Sequence, residues 1–245
     1  MPIISTFCKK GGVGKTTFMG YLAHYYATKG KTVLVISADD QNSIFKIFGC
    51  DNFVTDHDDD FFENLLVGEK KPEEVVFEAR PGMYLMKTLN TDRLSINLTL
   101  KRSEEKKLRN LIMDFTNYFD YIFIDFPPSS SRLSEILLDI SDNIILVVGL
   151  NTLGLQGFTN TVQYFVDSDI ELDKINYIIP IGYHPVKIAP NKCLKELKEL
   201  VKNYTPQATV SMPVKDKSVI QNLQSECVSV FDEHQMKDKF HEKNR

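Results

Sequence analysis

The segment Lys10–Thr17, with the sequence KGGVGKTT, contains the residues of this chain best suited to bind phosphate. It follows the apolar run Ile3–Phe7 and precedes a helix-like stretch that starts at Phe18. Glycines lack a Cβ atom, so the backbone can wrap around phosphate groups and turn successive N–H groups toward them. The amino end of the following helix adds a positive dipole at the same place. We therefore predict a loop that binds a nucleoside triphosphate.

Two side chains of this loop are expected to act on the phosphates. Lys15 can reach the β- and γ-phosphates, and the Thr16 hydroxyl can coordinate Mg2+. The usual pattern G-x-x-x-x-G-K-[ST] is matched at its end by Gly14, Lys15 and Thr16, whereas Lys9 occupies the position of the first glycine. The strand before the loop and the helix after it favour phosphate binding over an ordinary glycine-rich turn.

A carboxylate at the end of another apolar run is the expected magnesium ligand. Asp125 ends the run Tyr121–Asp125 and is followed by Phe126-Pro127-Pro128. In phosphate-loop enzymes an Asp at this place holds Mg2+, directly or through water. Asp125 could instead cap the next helix, but a phosphate loop in the same chain favours the metal.

Short apolar runs alternate with helix-like segments along the chain, and several runs are almost wholly apolar, as in strands buried on both faces of a parallel sheet. This alternation predicts an α/β fold with a doubly wound, mostly parallel sheet and helices on both faces. Ligands bind such sheets at the carboxyl ends of the strands. The predicted strands are Ile3–Phe7, Thr32–Ser37, Met83–Met86, Tyr121–Asp125, Asn143–Val148, Ile175–Ile181 and Ala208–Ser211. The predicted helices are Thr17–Lys29, Ser43–Phe48, Asp60–Val67, Ser103–Tyr118, Ser131–Asp139, Gly154–Asp167, Pro190–Tyr204 and Asp216–Glu226.

Composition favours one soluble domain over residues 1–245, with the tail from about 229 to 245 as a partly exposed helix. The 42% hydrophobic and 25% charged residues are typical of a globular protein. We expect a cytoplasmic protein, because the sequence contains neither a membrane-length apolar stretch nor a signal peptide. The four cysteines lack metal-ligand spacing and are expected to be reduced thiols. With a net charge of −4, nucleic acid could bind only at a local basic patch.

The phosphate loop resembles the deviant loop of the ParA/MinD family of ATPases, which opens with an extra "signature" lysine. The resemblance makes Lys10 that lysine, which in the family reaches across a dimer interface to the partner's nucleotide. It implies an ATP-bridged homodimer with ATP and Mg2+ as cofactors. The nucleotide-binding residues that follow from the loop and the resemblance are Lys10, Gly11, Gly12, Val13, Gly14, Lys15, Thr16, Thr17 and, in a late loop similar to the family's loop near the adenine, Pro213.

The end of the second predicted strand, Ser37-Ala38-Asp39-Asp40-Gln41, resembles the family's D-x-D-P-Q segment. The resemblance makes Asp39 the carboxylate near the γ-phosphate that orients or activates the attacking water. A charged loop without catalytic function is the alternative. Ser37 and Asp40 replace the first Asp and the Pro, and these departures are expected to affect hydrolysis more than binding.

The resemblance is strongest to the small ParA type, because the phosphate loop begins too early for a preceding helix-turn-helix. Such proteins form ATP-dependent dimers that bind DNA without sequence preference. A ParB-like centromere-binding protein stimulates hydrolysis and thereby releases them. The resemblance thus implies DNA partition as the function, the reaction ATP + water to ADP + phosphate, and a nucleoid-associated location in the cytoplasm.

Sequence-independent DNA binding needs a basic surface, because phosphate contacts dominate the affinity. One candidate is a helical stripe in Pro190–Tyr204, diluted by Glu196 and Glu199. A second is the C-terminal tail, and solvated faces of mixed charge are the alternative for both. The candidate lysines are Lys192, Lys195, Lys198 and Lys202 on the stripe, Lys215 and Lys217 around the start of the last predicted helix, and Lys237 and Lys239 in the tail.

Three other functions use the same fold. A MinD-like regulator at a membrane surface needs a strongly amphipathic C-terminal helix, but Met236 and Phe240 are the only large apolar residues in Asp232–Arg245. The second is an enzyme of metabolism or electron transfer, such as a relative of the nitrogenase iron protein or a ligase-type synthetase. Its iron-sulfur version needs cysteines at the dimer axis, and the four cysteines here do not form a convincing set. An ATP-binding scaffold with very slow turnover is compatible with the departures at Ser37 and Asp40.

Overall fold

A mostly parallel β-sheet forms the centre of the protein in the computed structural model, which describes residues 2–56, 62–88, 90–215 and 218–232. Within these residues the sheet has nine strands: β1 (Ile3–Phe7), β2 (Val33–Ser37), β3 (Val76–Arg80), β4 (Met83–Met86), β5 (Tyr121–Asp125), β6 (Asn143–Gly149), β7 (Ile175–Tyr183), β8 (Thr209–Val210) and β9 (Val214–Lys215). Eight of them follow the order β3-β4-β2-β5-β1-β6-β7-β8, and the ninth, β9, pairs with β7. All pairings are parallel except the β3–β4 hairpin.

Helices cover both faces of this sheet. Met19 and Ala23 belong to a buried cluster on one face, whereas Leu108, Ile136 and Phe158 belong to the cluster on the other. This confirms the predicted doubly wound fold. The helices of the described residues are α1 (Lys15–Thr28), α2 (Ser43–Ile47), α3 (Asp51–Asp56), α4 (Phe62–Val67), α5 (Pro72–Val75), α6 (Thr91–Leu100), α7 (Arg102–Phe115), α8 (Arg132–Asp139), α9 (Thr152–Asp167), α10 (Ile188–Tyr204) and α11 (Ser218–Ser225), with a 3-10 turn at Leu172–Lys174.

The parallel register brings the ends of three neighbouring strands to one level. Asp125, the last residue of β5, pairs with Thr6 of β1 and with Ser37 of β2. Both β1 and β2 are buried along their whole length, as expected of central strands covered on both faces. The residues that directly follow β1, β2 and β5 therefore meet at one edge of the sheet.

The structure contains elements that the sequence patterns did not predict. The strands β3 and β9 and the helices α3, α5 and α6 were all unassigned. β3 is a half-buried edge strand that joins β4 through a tight turn at Pro81-Gly82, so its stability depends on pairing rather than on an apolar run. Three predicted segments lie partly or wholly outside the described residues. They are the start of the helix Asp60–Val67, the start of the helix Asp216–Glu226 and the tail beyond residue 232.

The last described residues are held against α1 and β3 by polar contacts. Asp232 forms a two-pronged pair with Arg80, with nitrogen–oxygen distances of 3.0 and 3.1 Å, and accepts a hydrogen bond from the Ser229 amide. The buried His24 ring of α1 lies 2.7 Å from the Ser229 hydroxyl. The Arg80 guanidinium and the Ser229 amide hold the pKa of Asp232 below its usual value, against the opposing effect of burial. These contacts place Phe231 beside α1.

We predict that Asp232→Ala destabilises the protein by about 2 kcal/mol, because it leaves Arg80 without its carboxylate. Chemical denaturation measures the loss. Asp139→Ala is the matched control: Asp139 also pairs with two cations, Arg109 and Lys174, but its side chain is 46% exposed. That change is expected to cost less than about 1 kcal/mol. Equal losses in the two variants would contradict a special role for the Asp232 contacts.

Candidate functional site

The loop between β1 and α1 has the geometry of an anion-binding site. Gly14 lies at the amino end of α1 with φ 85° and ψ 22°, a left-handed conformation that glycine adopts without strain. No side chain caps this end of α1 in the described structure. The N–H groups of the first turn therefore remain available, and the helix dipole adds positive potential to them.

Lys15 lies folded back across the loop. Its side chain is buried, and Nζ donates a hydrogen bond to the Lys10 carbonyl oxygen at 3.1 Å. Burial lowers the pKa of Lys15, whereas the nearby Cys8, Asp125 and Asp39 groups oppose this by favouring the charged form. The ammonium group is thus placed between the loop and two carboxylates.

Asp125 is the most deeply buried acid of the site. It is 2% exposed, and its Oδ1 atom has no hydrogen-bond partner among the described atoms. Burial raises the pKa of Asp125 to about 7, despite the opposing effects of the Thr16 hydroxyl and the Lys15 charge. An unpartnered buried carboxylate oxygen next to a hydroxyl is a donor set that fits Mg2+.

This donor set needs oxygen atoms from elsewhere to complete a magnesium site. Among the described residues no group of three or more His, Cys, Asp or Glu side chains could hold a metal. Mg2+ is usually bound by one or two protein groups together with phosphate oxygens and water. Thr16 and Asp125 therefore fit a magnesium ion that arrives with a nucleotide.

Asp39 lies in the loop after β2, facing the same region. Its Oδ1 accepts a hydrogen bond from the Gln41 amide at 3.0 Å. Burial raises the pKa of Asp39, and the Lys15 charge acts in the opposite direction. Lys15 and Asp39 line the same cleft, and Asp125 pairs in the sheet with Ser37, two residues before Asp39, so the fold brings these three predicted residues together.

A cleft of about 860 Å3 runs from the phosphate loop along α1. Its polar end is formed by the loop residues from Gly11 to Thr17 together with Asp39. Its other end is mainly apolar, as expected of a ligand pocket with a few placed polar groups. Val214 and Lys215 line it, whereas Pro213, the residue expected near the adenine, directly precedes them without being part of the lining. The apolar end is lined by Phe18, Tyr21, Leu22, Tyr25, Ile181, Val214, Ile220, Val230 and Phe231.

Sequence reasoning missed several residues of this cleft. The Gln224 amide of α11 donates to the Thr17 hydroxyl at 2.5 Å, across 207 residues of chain. Tyr21 and Tyr25 lie four residues apart on α1, a spacing that could have indicated one shared face. Gln224 and Phe231 carry no such local signal, because only the folded chain places them beside the loop.

Lys10 lies on a different side of the loop from Lys15. It lines a second pocket of about 400 Å3 together with the loop backbone and the segment Asn151–Gly154 at the start of α9. A Cβ atom on Gly157 would lie only 2.9 Å from the Lys10 Cβ, so the glycine allows α9 to approach the loop. The neighbouring Lys9 instead packs over the Tyr164 ring, with Nζ 4.8 Å from the ring centre.

The described candidate lysines for DNA lie at two places. Lys192, Lys195, Lys198 and Lys202 are exposed along α10, while Leu197 and Val201 are buried against the sheet. The acidic Glu196 and Glu199 are exposed on the same helix. Lys215, a separate candidate in β9, lines the nucleotide-sized cleft. Lys217, Lys237 and Lys239 lie outside the described residues.

Taken together, the uncapped glycine loop, the buried lysine and the strand-terminal aspartate on a doubly wound sheet define a P-loop nucleotide-binding protein. A family model described as an AAA domain matches residues 1–174. The chain belongs to that family, as a P-loop protein of the ParA/MinD type.

Similar proteins agree with this assignment. An uncharacterised protein of Methanocaldococcus jannaschii is 32% identical over 214 residues, which cover 83% of this chain and 82% of that protein. The sporulation initiation inhibitor protein Soj of Bacillus subtilis is 26% identical over 181 residues, which cover 71% and 70%. A solved ATP complex of Cyanothece McdA has a TM-score of 0.77 at 18% identity, covering 94% of this chain and 89% of that chain, and supports the fold.

Among the described residues, no helix combines the length and the apolar character that crossing a bilayer requires.

We predict that Asp125→Asn stabilises the protein at pH 8 in the absence of metal and nucleotide. The folded-state pKa of Asp125, about 7, lies above the ordinary value of 3.8, so the wild-type protein loses stability as pH rises from about 4 through 7. The neutral amide avoids this loss, which amounts to at most about 4 kcal/mol. Denaturant unfolding at pH 8 and pH 5 in EDTA measures it, and the advantage of the variant should be less than half as large at pH 5, where most of the loss has not yet occurred. A difference independent of pH would contradict a raised pKa.

Proposed function

We propose that this protein is an ATP-dependent DNA partition ATPase, whose ATP-bridged dimer binds DNA without sequence preference and is released by hydrolysis. The observation that carries this proposal is the placement of Lys10. A lysine that served the nucleotide of its own subunit would line its own cleft, but Lys10 lines the neighbouring pocket at the start of α9. Leu153, beside it, is 57% exposed. A second subunit docked on this surface would receive the Lys10 ammonium at its own phosphates.

The proposed mechanism assigns one task to each charged group of the cleft. The loop N–H groups and Lys15 bind the β- and γ-phosphates and stabilise the charge that develops during transfer to water. Thr16 and Asp125 hold Mg2+, which neutralises phosphate charge when it is bound. Asp39 orients the attacking water, with Lys10 of the partner subunit completing the site.

Partition as the biological role rests on the relatives and on the surface of α10. Proteins named for chromosome partitioning, such as Soj of Treponema pallidum, are among the similar sequences. The four exposed α10 lysines can contact DNA phosphates without reading bases. A ParB-like protein bound at a centromere is the proposed partner that stimulates hydrolysis.

We predict that Lys10→Ala leaves nucleotide binding by the monomer within about twofold but abolishes ATP-driven dimerisation and hydrolysis, because only the ammonium offered to the partner is lost. Lys15→Ala should abolish binding itself. Titration with a fluorescent ATP analogue, light scattering and phosphate release separate these effects. Lys9→Ala is the matched control, because it also removes one lysine next to the loop, but the Lys9 side chain packs on the Tyr164 ring of its own subunit.

Two outcomes would decide against parts of this account. If Lys10→Ala and Lys9→Ala dimerise equally well, Lys10 does not act across an interface. If the wild-type dimer forms but phosphate release stays at background with DNA and a cognate partner present, the protein is an ATP-binding scaffold instead.

We predict that DNA binding requires ATP and that the double variant Lys195→Ala/Lys202→Ala lowers the slope of log K against log[salt] by about 2. Each lost phosphate contact removes about 0.9 from that slope. Fluorescence anisotropy with random-sequence duplexes between low and physiological salt measures it. Lys106→Ala/Lys107→Ala on α7 is the charge-matched control, and equal slopes for the two double variants would contradict DNA contact by α10.

A further inference from the structure

The loop that carries Asp39 is tied to the end of β4 by a pair of opposed hydrogen bonds. The Asn42 amide nitrogen donates to the Thr88 carbonyl oxygen at 2.8 Å, and the Thr88 amide donates back to Asn42 Oδ1 at 3.2 Å. Asn42 is 3% exposed and Thr88 is 1% exposed. Such buried bonds are stronger than exposed ones, because water does not compete for either partner.

Further bonds from the same residues reach the backbone on both sides of Asp39. The Thr88 hydroxyl donates to the Ser37 carbonyl oxygen, and the Ser37 hydroxyl donates to the Asp39 carbonyl oxygen at 2.9 Å. The Asn42 amide also donates to the Asp40 carbonyl oxygen at 3.1 Å. We call the three residues Ser37, Asn42 and Thr88 the latch.

The backbone within the loop shows what the latch holds in place. Asn42 has φ 45° and ψ 37°, a left-handed conformation that asparagine tolerates better than most residues. Its N–H donates to the Asp39 carbonyl oxygen at 2.9 Å, which closes a turn. Within this turn the Gln41 amide orients the Asp39 carboxylate. Asp40 and Gln41 themselves are exposed, so the turn depends on buried contacts at its ends.

We propose that Asn42 and Thr88 are positioning residues for Asp39, which hold its carboxylate at the angle needed to orient the attacking water. This inference rests on the proposed function of Asp39. Ser37 takes part through its hydroxyl, which points inward to the Asp39 carbonyl instead of offering a second carboxylate to the cleft. The fold thus sets the direction of the Asp39 carboxylate from β4, a strand that contributes no residue to the cleft lining.

The decisive experiment combines Asn42→Ala with Asp39→Asn. Asn42→Ala should lower kcat for ATP hydrolysis by about 10- to 100-fold, the cost of misplacing a catalytic group by about 1 Å. The Kd for ATP should change less than about twofold, because none of Ser37, Asn42 and Thr88 is among the residues that line the cleft. In the Asp39→Asn background the same change should have no further effect on kcat. An equal loss in both backgrounds would overturn the proposal.

Two variants separate positioning from a loss of stability. Asn90→Ala is the matched control, since Asn90 caps the start of α6 with its side chain and is not among the residues that line the cleft. It should reduce stability to a similar degree and leave kcat unchanged. Thr88→Ser, which keeps the hydroxyl, should retain near wild-type kcat, whereas Thr88→Val should resemble Asn42→Ala. A loss of kcat in Asn90→Ala equal to that in Asn42→Ala would overturn the proposal.

A readout independent of hydrolysis distinguishes failure of this inference from failure of the proposed function. The Gln41 amide, which donates to Asp39 Oδ1, should exchange with deuterium at least tenfold faster in Asn42→Ala than in wild type or Asn90→Ala. If Asp39→Asn hydrolyses ATP at the wild-type rate, the proposed role of Asp39 fails, yet the exchange result still tests the latch. Unchanged Gln41 exchange in Asn42→Ala would overturn the inference in either case.

Discussion

The adjacent parallel strands β1, β2 and β5 end at one level. Because of this geometry, the charged groups of Lys15 and Asp125 are buried away from water at one edge of the sheet. Asp125 ends β5 with an oxygen atom that has no hydrogen-bond partner among the described atoms. Burial disfavours the charged form of an unpaired carboxylate, so the pKa of Asp125 is raised to about 7. Lys15 and the Thr16 hydroxyl offset part of the cost. The rest of the site surrounds this partly compensated charge, which a metal ion with a nucleotide would neutralise further.

Two pockets adjoin the phosphate loop, and each is lined by a different lysine of the loop. Lys15 is drawn inward by the Lys10 carbonyl and by two carboxylates, whereas Lys10 lies beside α9 at an open pocket. Gly157 makes this arrangement possible, since a side chain there would collide with Lys10. One short segment therefore presents a lysine to its own cleft and a second lysine to a neighbouring surface.

Contacts between distant parts of the chain decide the shape of the cleft beyond the loop. Gln224 reaches Thr17, Ser229 reaches His24, and Asp232 reaches Arg80. These contacts place the C-terminal segment along α1, so that Phe231 becomes a wall of the cleft. The latch does the same for the loop after β2, which it ties to the end of β4. The phosphate loop is thus formed by residues close together in sequence, whereas the position of Asp39 and the opposite end of the cleft depend on contacts between distant segments.

The amino-acid sequence by itself determined the features that depend on local pattern. KGGVGKTT requires a tight glycine loop before a helix, and Tyr121–Asp125 requires a buried strand ending in a carboxylate, so both could be predicted together with the alternating α/β order. The edge strand β3 and the helix α6 could not, because their stability comes from partners rather than from periodicity. Only the tertiary structure decided that Asn42 and Thr88 meet, that Gln224 faces Thr17, and that Lys215 lines the cleft. The physical reason is that residues far apart in the chain form hydrogen bonds and bury one another only after the strands have paired. The spacing of residues along the chain therefore cannot predict these contacts.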